Sequence, residues 1–277
     1  MSSIRVALVL LGAGLVVSRA APAQERFFPA VQSFELPSAS PRVHGFVGRV
    51  LSVERGDSRF GSEYEGEVVL GENFPVIALK RGVRPIILGI GSQVYGRFSL
   101  SDSKSALISN DWVAGVNTTA FLGSWALTLE LYHESSHLGD EYGDHFQVAR
   151  LDWTREVLTG WATYGSGRWR LTGGASYVLQ DELRLPRAAG SLGIDFRGGR
   201  HRLAGSEMRP LLGLFTEADA ANNWRLSTSG KAGVALSAGT QGREIGFAVI
   251  GHNGLSTQRQ FFRKSSRYFG LEVRFDL

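Results

Sequence analysis

The chain has 277 residues, a formal net charge of +4 at pH 7 and no cysteine. The lack of cysteine excludes a disulfide framework and thiolate chemistry, and so small a positive charge does not support nucleic-acid binding. Beyond residue 17 no apolar run is long enough to cross a bilayer as a helix, which excludes a helical protein of the inner membrane.

The first 23 residues have the features of an export signal. Residues 1–5 are basic, residues 6–17 form an apolar run too short to span a bilayer, and Ala21-Pro22-Ala23 has the small side chains that precede a cleavage site. We therefore predict that residues 1–23 are a signal peptide. Its removal takes away two arginines and leaves a net charge of about +2.

The rest of the chain is predicted to form one domain after a short irregular segment. Residues 24–44 contain three prolines, and we expect them to form a periplasmic N-terminal segment or a plug. Residues 45–277 are expected to form an antiparallel transmembrane β-barrel of about 12 strands in the bacterial outer membrane. The predicted strands cover residues 45–53, 64–72, 84–98, 111–121, 125–135, 146–163, 168–180, 190–197, 202–215, 224–237, 243–252 and 267–277.

Alternation of side chains is the main argument for this all-β fold. In the last predicted strand, Phe269, Leu271 and Phe275 share one face, and Glu272 and Arg274 share the other. An apolar face towards lipid and a polar face towards a wet lumen are typical of a transmembrane barrel. A soluble sandwich or barrel also alternates, but no second apolar layer is left here to cover the apolar faces.

The predicted connections fit a barrel whose N-terminus is periplasmic. Connections on that side are short, such as residues 122–124 and 164–167, whereas those on the opposite side, such as residues 99–110 and 136–145, are longer. The exception is the connection at residues 73–83, which is predicted to be periplasmic and yet is long.

Polar side chains with possible chemistry are concentrated around His133. The run His133-Glu134-x-x-His137 matches the zincin motif, in which two histidines on one helical face bind zinc and the glutamate activates water. That chemistry requires a helix, whereas the residues before the run alternate as a strand. A second metal hypothesis groups His133 and His137 with Asp140 and Glu141 at a loop. Our preferred assignment contains no metal.

As a strand, the same run predicts a different chemistry. His133 and Ser135 share the parity of Leu131 and should face lipid at the extracellular rim. A His-x-Ser pair on a lipid-facing strand resembles that of lipid A 3-O-deacylase, an outer-membrane barrel whose serine attacks an acyl ester of lipid A. The resemblance implies His133 as base and Ser135 as nucleophile, with an acidic group to orient the histidine. By parity, Asp152 and Glu156 are expected to face the lumen, which leaves that acidic group missing.

The third interpretation of the run is structural. Polar side chains at a barrel rim can hydrogen-bond one another, fix a loop and contact lipopolysaccharide head groups. In this interpretation the predicted binding residues are Ser136, His137, Asp140, Glu141 and Tyr142.

A wider resemblance covers nearly the whole mature chain. The core Ser135-Ser136-His137-Leu138-Gly139-Asp140-Glu141, together with residues 107–111, 38–42 and 170–174, is similar to the bacterial domain-of-unknown-function family 1207. Members of that family often have glutamine in place of Glu134. This argues against the zincin chemistry, in which the glutamate is required to activate water. The resemblance implies a common fold and a shared loop, and it brings no established activity.

Charged side chains on the predicted lumen face form a second candidate binding region. Glu130 and Arg150 lie opposite each other if the strands at 125–135 and 146–163 pair. Charges of both signs inside a narrow barrel more often form a closing salt-bridge network than a path for substrate.

These observations predict an outer-membrane barrel with an envelope-structural, small-solute passage or ligand-binding role. The alternative is a lipid A or phospholipid esterase that uses Ser135 and His133 on the lipid-facing surface. No cofactor is predicted. The expected partners are outer-membrane lipid, lipopolysaccharide and the barrel-assembly machinery, with no nucleic acid.

Overall fold

A computed structural model describes residues 24–29, 34–55, 64–81, 84–101, 106–203, 206–237 and 244–276. The predicted signal peptide, residues 1–23, lies outside the described residues. No helix in these ranges is long and apolar enough to cross a membrane. The elements are the strands β1 (Gln24–Phe27), β2 (Phe46–Arg55), β3 (Tyr64–Arg81), β4 (Arg84–Ser99), β5 (Leu107–Leu122), β6 (Trp125–Leu138), β7 (Trp153–Ser166), β8 (Trp169–Asp181), β9 (Ala188–Arg197), β10 (His201–Leu203), β11 (Ser206–Asp219), β12 (Ser227–Ser237), β13 (Glu244–Leu255) and β14 (Ser265–Asp276), the helix α1 (Asp140–Phe146), and the 3-10 turns Ala220–Asn222 and Arg259–Phe261.

In the part of the chain that the structure describes, twelve strands close into an antiparallel barrel. Each barrel strand pairs with the next one along the chain. The barrel closes between β14 and β2, whose pairing runs from Arg267 opposite Arg55 to Phe275 opposite Phe46. The short strands β1 and β10 are additions that pair with β3 and β11. The predicted fold class, an all-β barrel of about 12 strands, is confirmed.

The chain leaves the barrel wall between β1 and β2, beside β3, and the N-terminal segment enters the lumen there. Both β1 and β2 pair with β3, one near its end and the other near its start. The Phe28 N–H donates to the Val76 carbonyl (2.9 Å) where the chain leaves the wall, and the Gly45 N–H donates to the Gly71 carbonyl (2.6 Å) where it returns. Gly45 has φ +124°, a backbone conformation that side chains other than glycine rarely adopt. Residues 34–44, between these two points, contact side chains of the lumen.

Two of the predicted boundaries are wrong. The long connection expected at residues 73–83 is mostly strand, because β3 continues to Arg81 and its end pairs with β1 as well as with β4. The strand expected at residues 146–163 begins only at Trp153. The helix α1 ends at Phe146, its C-cap Gln147 has a left-handed backbone conformation, and residues 148–152 lie between the helix and the strand without regular structure.

Side chains of the barrel strands alternate between an apolar outer surface and a polar lumen. On β6, Leu127 and Leu131 are exposed while Thr128 is buried, and on β14, Leu271 is 62% exposed while Glu272 is 2% exposed. Because the sheet is closed, an exposed strand residue of this kind lies on the outside of the barrel. The outer surface is therefore apolar in the way that suits lipid.

Charged side chains fill much of the lumen. Arg49 donates to Glu272 (2.8 Å) and to Glu67, Arg97 also donates to Glu67 (2.7 Å), and Lys231 donates to Glu272. Each of these five residues is 7% exposed or less. Buried charges are tolerated when they are paired and hydrogen-bonded, so this network closes one side of the barrel interior with salt bridges.

The outer position of Leu271 gives a test of the barrel faces. We expect Leu271→Arg to lower the free energy of unfolding by about 2–4 kcal/mol, because it places a charge against the lipid or detergent chains. The isosteric control Leu271→Ile should unfold close to the parent protein. Urea unfolding in micelles, followed by heat-modifiable gel mobility, measures both variants, and an equal loss in the two would show that this face does not contact lipid.

Candidate functional site

The alternation along β6 divides the predicted chemical run between two faces. His133, Ser135 and His137 share the outward parity of the exposed leucines. Glu134 and Ser136 are 3% and 4% exposed and lie in the lumen. One strand therefore carries two separate polar groups, one on the outside of the barrel and one inside it.

His133 has an acidic partner on the outer surface. Its Nδ1 lies 2.8 Å from Oε1 of Glu156, and the two side chains are 44% and 42% exposed. The two residues face each other directly across β6 and β7, and side chains of such a pair lie on the same face. The expectation that Glu156 faces the lumen is wrong, because the register of β7 places Trp153 and Arg155 inside. Asp152, also expected inside, lies before the strand and is exposed.

The contact with Glu156 determines what the histidine ring can do. A carboxylate that accepts the Nδ1 proton leaves Nε2 as the acceptor, and it orients the ring and stabilises the imidazolium form. Ser135 lies two residues further along the same face, so its Cα is about 7 Å from that of His133. The described residues show no hydrogen bond between the Ser135 hydroxyl and the ring. In apo hydrolases this contact often tightens only when substrate binds.

The outer surface changes from apolar to polar at this group. One outward position before His133 on β6, Leu131 pairs with Val116 on one side and Leu158 on the other. Trp112 lies opposite Ser135 and is 50% exposed. Aromatic side chains are typical of the boundary between the lipid chains and water. The histidine and serine therefore lie where the apolar band of the barrel ends.

The lumen face of the same run is bonded to three other parts of the chain. Glu134 accepts hydrogen bonds from Arg42 (2.7 Å), from Nε of Arg259 (3.0 Å) and from the indole of Trp153 (3.0 Å). Burial alone would lower the pKa of Arg42, but the carboxylates of Glu134 and Asp111 raise that pKa well above its usual range, so the guanidinium stays charged. These bonds fix the backbone that carries the two outward residues.

Two of the predicted binding residues make contacts within the fold. The Ser136 hydroxyl donates to Oδ1 of Asp111 (2.5 Å), and its carbonyl accepts from Gln260 (2.9 Å). Tyr142 is completely buried and packs edge-on against Phe261, with ring centroids 5.3 Å apart. These residues hold α1 and the loop after β13 against the end of β6.

The other predicted binding residues do not form a single site. Asp140 and Arg150 form an ion pair of 2.5 Å, but their side chains are 80% and 62% exposed, and Glu141 is exposed beside them. Such a surface pair contributes little to stability. The pairing of Glu130 with Arg150 is wrong, because β7 starts after Arg150 and the residue opposite Glu130 is Thr159.

The strand conformation rules out the zincin arrangement. Four residues along a strand span about 13 Å, so His133 and His137 cannot bind one ion in the way that a helix would allow. Glu134 also points to the opposite face. Among the described residues, no group of three or more His, Cys, Asp or Glu side chains is placed to hold a metal.

Comparisons with known proteins place the chain in a family. The chain belongs to the family described as "Protein of unknown function (DUF1207)". The family model matches residues 28–277, so the predicted family is confirmed. A search of curated proteins gives no match.

Solved structures of outer membrane phospholipase A share the fold. The calcium-bound dimer from Salmonella typhi has a TM-score of 0.58 and 11% identity, over 87% of this chain and 92% of that chain. An active-site mutant of the Escherichia coli protein has a TM-score of 0.60 and 12% identity, over 89% of this chain and 92% of that chain. At these identities the likeness shows a bacterial outer-membrane barrel fold and nothing finer.

The residue that the sequence-based prediction missed is Glu156. Odd and even positions within one strand separate its two faces, but they do not show which face is outward. The outward face of Glu156 is known only once the register with a neighbouring strand is known. Matching the apolar outward residues, Leu131 with Leu158, would have placed Glu156 opposite His133.

Glu134 provides a test of the lumen bonds behind the site. We expect Glu134→Ala to lower the free energy of unfolding by about 3–5 kcal/mol, because Arg42 and Arg259 lose a buried counter-charge. Glu134→Gln should cost less, since its amide oxygen still accepts hydrogen bonds. Exposed Glu141→Ala should change stability by about 0.5 kcal/mol or less. Urea unfolding in micelles ranks the three variants, and a Glu134→Ala protein as stable as Glu141→Ala would contradict this account.

Proposed function

We propose that this barrel hydrolyses acyl esters of lipids in the bacterial outer membrane, with Ser135 as nucleophile, His133 as general base and Glu156 as the residue that orients the histidine. The observation that carries the proposal is the His133–Glu156 hydrogen bond on the outer surface. It supplies the acidic group that the chemistry needs, on the same face as the serine. The substrate that meets this face is a membrane lipid.

The proposed reaction has two steps. His133 Nε2 takes the proton of the Ser135 hydroxyl as Oγ attacks the ester carbonyl carbon, while Glu156 stabilises the imidazolium through Nδ1–H. The ester C–O bond then breaks, and the leaving alcohol receives the proton from His133. Water, activated by the same base, next attacks the acyl-serine, releasing the fatty acid and restoring the hydroxyl.

The location of the group supports an ester of a lipid as substrate. Ester linkages lie between the hydrocarbon chains and the head groups of a bilayer, and His133 and Ser135 lie at the corresponding edge of the apolar band, beside Trp112. The fold shared with outer membrane phospholipase A and the His-x-Ser resemblance to lipid A 3-O-deacylase agree with the same class of substrate. Phospholipid and lipid A both present such esters, and an assay with each distinguishes them.

A passage for small solutes is the less favoured function. The N-terminal segment at residues 34–44 contacts the lumen wall through Arg42 and Ser38. The salt bridges of Arg49 and Arg97 occupy another part of the lumen. The N-terminal segment and these bonded charges narrow the lumen in the part of the chain that the structure describes, which argues against a wide aqueous path of the kind seen in porins.

The proposal predicts that Ser135→Ala and Glu156→Leu each lose ester hydrolysis while the barrel stays folded. The loss should be about a thousandfold for the serine variant, because the nucleophile is removed. Purified protein in mixed micelles of diacyl phospholipid, and separately of lipopolysaccharide, is assayed for released fatty acid by mass spectrometry.

The matched control is His137→Ala, which removes the other outward histidine of β6 and should keep full activity, whereas His133→Ala should not. Release from only one of the two lipids identifies the substrate. The proposal would be overturned if the folded parent protein released no fatty acid from either lipid. It would also be overturned if Ser135→Ala released fatty acid as fast as the parent does.

A further inference from the structure

The lumen contains a cavity that the proposed hydrolase does not use. Its volume is about 190 Å³, and it is lined on one side by Leu36 and His44 of the N-terminal segment and on another by Leu255 and Phe262 near the loop after β13. A cavity of about 150 Å³ holds a benzene ring. The lumen cavity therefore has room for a ring with a short chain, or for a compact aliphatic molecule.

Two side chains with acceptor oxygens face this cavity, and one of them has no hydrogen-bond donor among the described residues. Asn117 on β5 lies directly opposite Glu130 on β6. Asn117 is 5% exposed, and its Oδ1 is buried with no hydrogen-bond partner. Glu130 accepts one hydrogen bond, from the indole of Trp161 (2.6 Å), and has no cationic partner among the described residues. Buried acceptors of this kind are costly unless something donates to them.

Glu130 and Glu217 differ in this respect from most other lumen carboxylates, since neither forms an ion pair among the described residues. The lumen carboxylates that form ion pairs with arginine or lysine are Glu65, Glu67, Asp111, Glu134, Asp195 and Glu272.

Arginines that line the cavity form no ion pair with Glu130 among the described residues. Arg225 donates to Ser265, and Nε of Arg155 is a buried donor without a hydrogen-bond partner in the described ranges. Arg42 and Arg259 both bind Glu134, and Arg155 binds Asp181 at 3.0 Å. Glu217 on β11 also lines the cavity. The residues opposite Glu130 and Asn117 on the neighbouring strands are Thr159 on β7 and Gly89 on β4, so no cation of these described strands lies directly beside the two acceptors.

We propose that the lumen cavity binds a small organic ammonium ion, with Glu130 and Asn117 accepting its N–H groups and Trp161 packing against its carbon skeleton. An ammonium group supplies three donors and no acceptor, which matches the acceptors of Glu130 and Asn117. The faces of Trp161 and Tyr132, which line the same cavity, favour a cation next to aromatic rings. The inference concerns the lumen face of β6 and is independent of the proposed hydrolysis on its outer face.

The test uses phenethylamine and its neutral analogue 2-phenylethanol, titrated calorimetrically into the full-length protein in detergent micelles. We expect the amine to bind at least about tenfold more tightly than the alcohol, because only the amine forms a charge-assisted hydrogen bond with Glu130. This experiment needs only the unmutated protein. Equal affinities for the amine and the alcohol, or no binding of the amine, would overturn the proposal.

Variants then locate the site. Glu130→Gln keeps an acceptor for Trp161 and should weaken amine binding by about tenfold or more, and Asn117→Ala should weaken it to a smaller extent. Exposed Glu141→Gln is the control and should bind as the parent does. Heat-modifiable gel mobility verifies that each barrel is folded. Folded Glu130→Gln protein that binds the amine as tightly as the control would contradict the assignment.

Discussion

The alternation of side chains along β6 is the constraint on which the site depends. Because successive residues of a strand point to opposite faces, one short run places His133 and Ser135 on the outside and Glu134 between them on the inside. The outside residues meet lipid, and the inside residue meets three hydrogen-bond donors. A shift of one residue in the register would exchange these two faces completely.

Bonds in the lumen give this strand its rigidity. The barrel interior contains only small apolar clusters in the described ranges, such as that of Val43, Val47 and Val69, so paired charges and hydrogen bonds order many of the inward side chains. Arg42 is central to this order because it binds Asp111 on β5, Glu134 on β6 and the Thr257 carbonyl in the loop after β13. The N-terminal segment thereby holds the strand that presents the proposed catalytic residues, although it lies on the opposite side of the barrel wall from them.

The sequence was sufficient to predict the barrel, because twelve alternating strands produce a signal that depends only on neighbours within each strand. It also indicated which face His133 and Ser135 would share. The partner of His133 was assigned to the wrong face, since its face depends on the register between β6 and β7 and parity within one strand does not give that register. The folding of residues 34–44 into the lumen likewise depends on long-range bonds such as that between Arg170 and Glu35, which no local pattern encodes.

The most direct measurement for the outer-surface site is covalent labelling of the full-length protein in micelles with a long-chain alkyl fluorophosphonate, followed by peptide mass spectrometry. A serine activated by a histidine displaces the fluoride and forms a stable phosphonyl ester, whereas an unactivated serine reacts negligibly. The account predicts a single modified site at Ser135, with labelling that falls sharply in Glu156→Leu protein. Folded protein that remains unlabelled, or a label distributed over other serines, would contradict it.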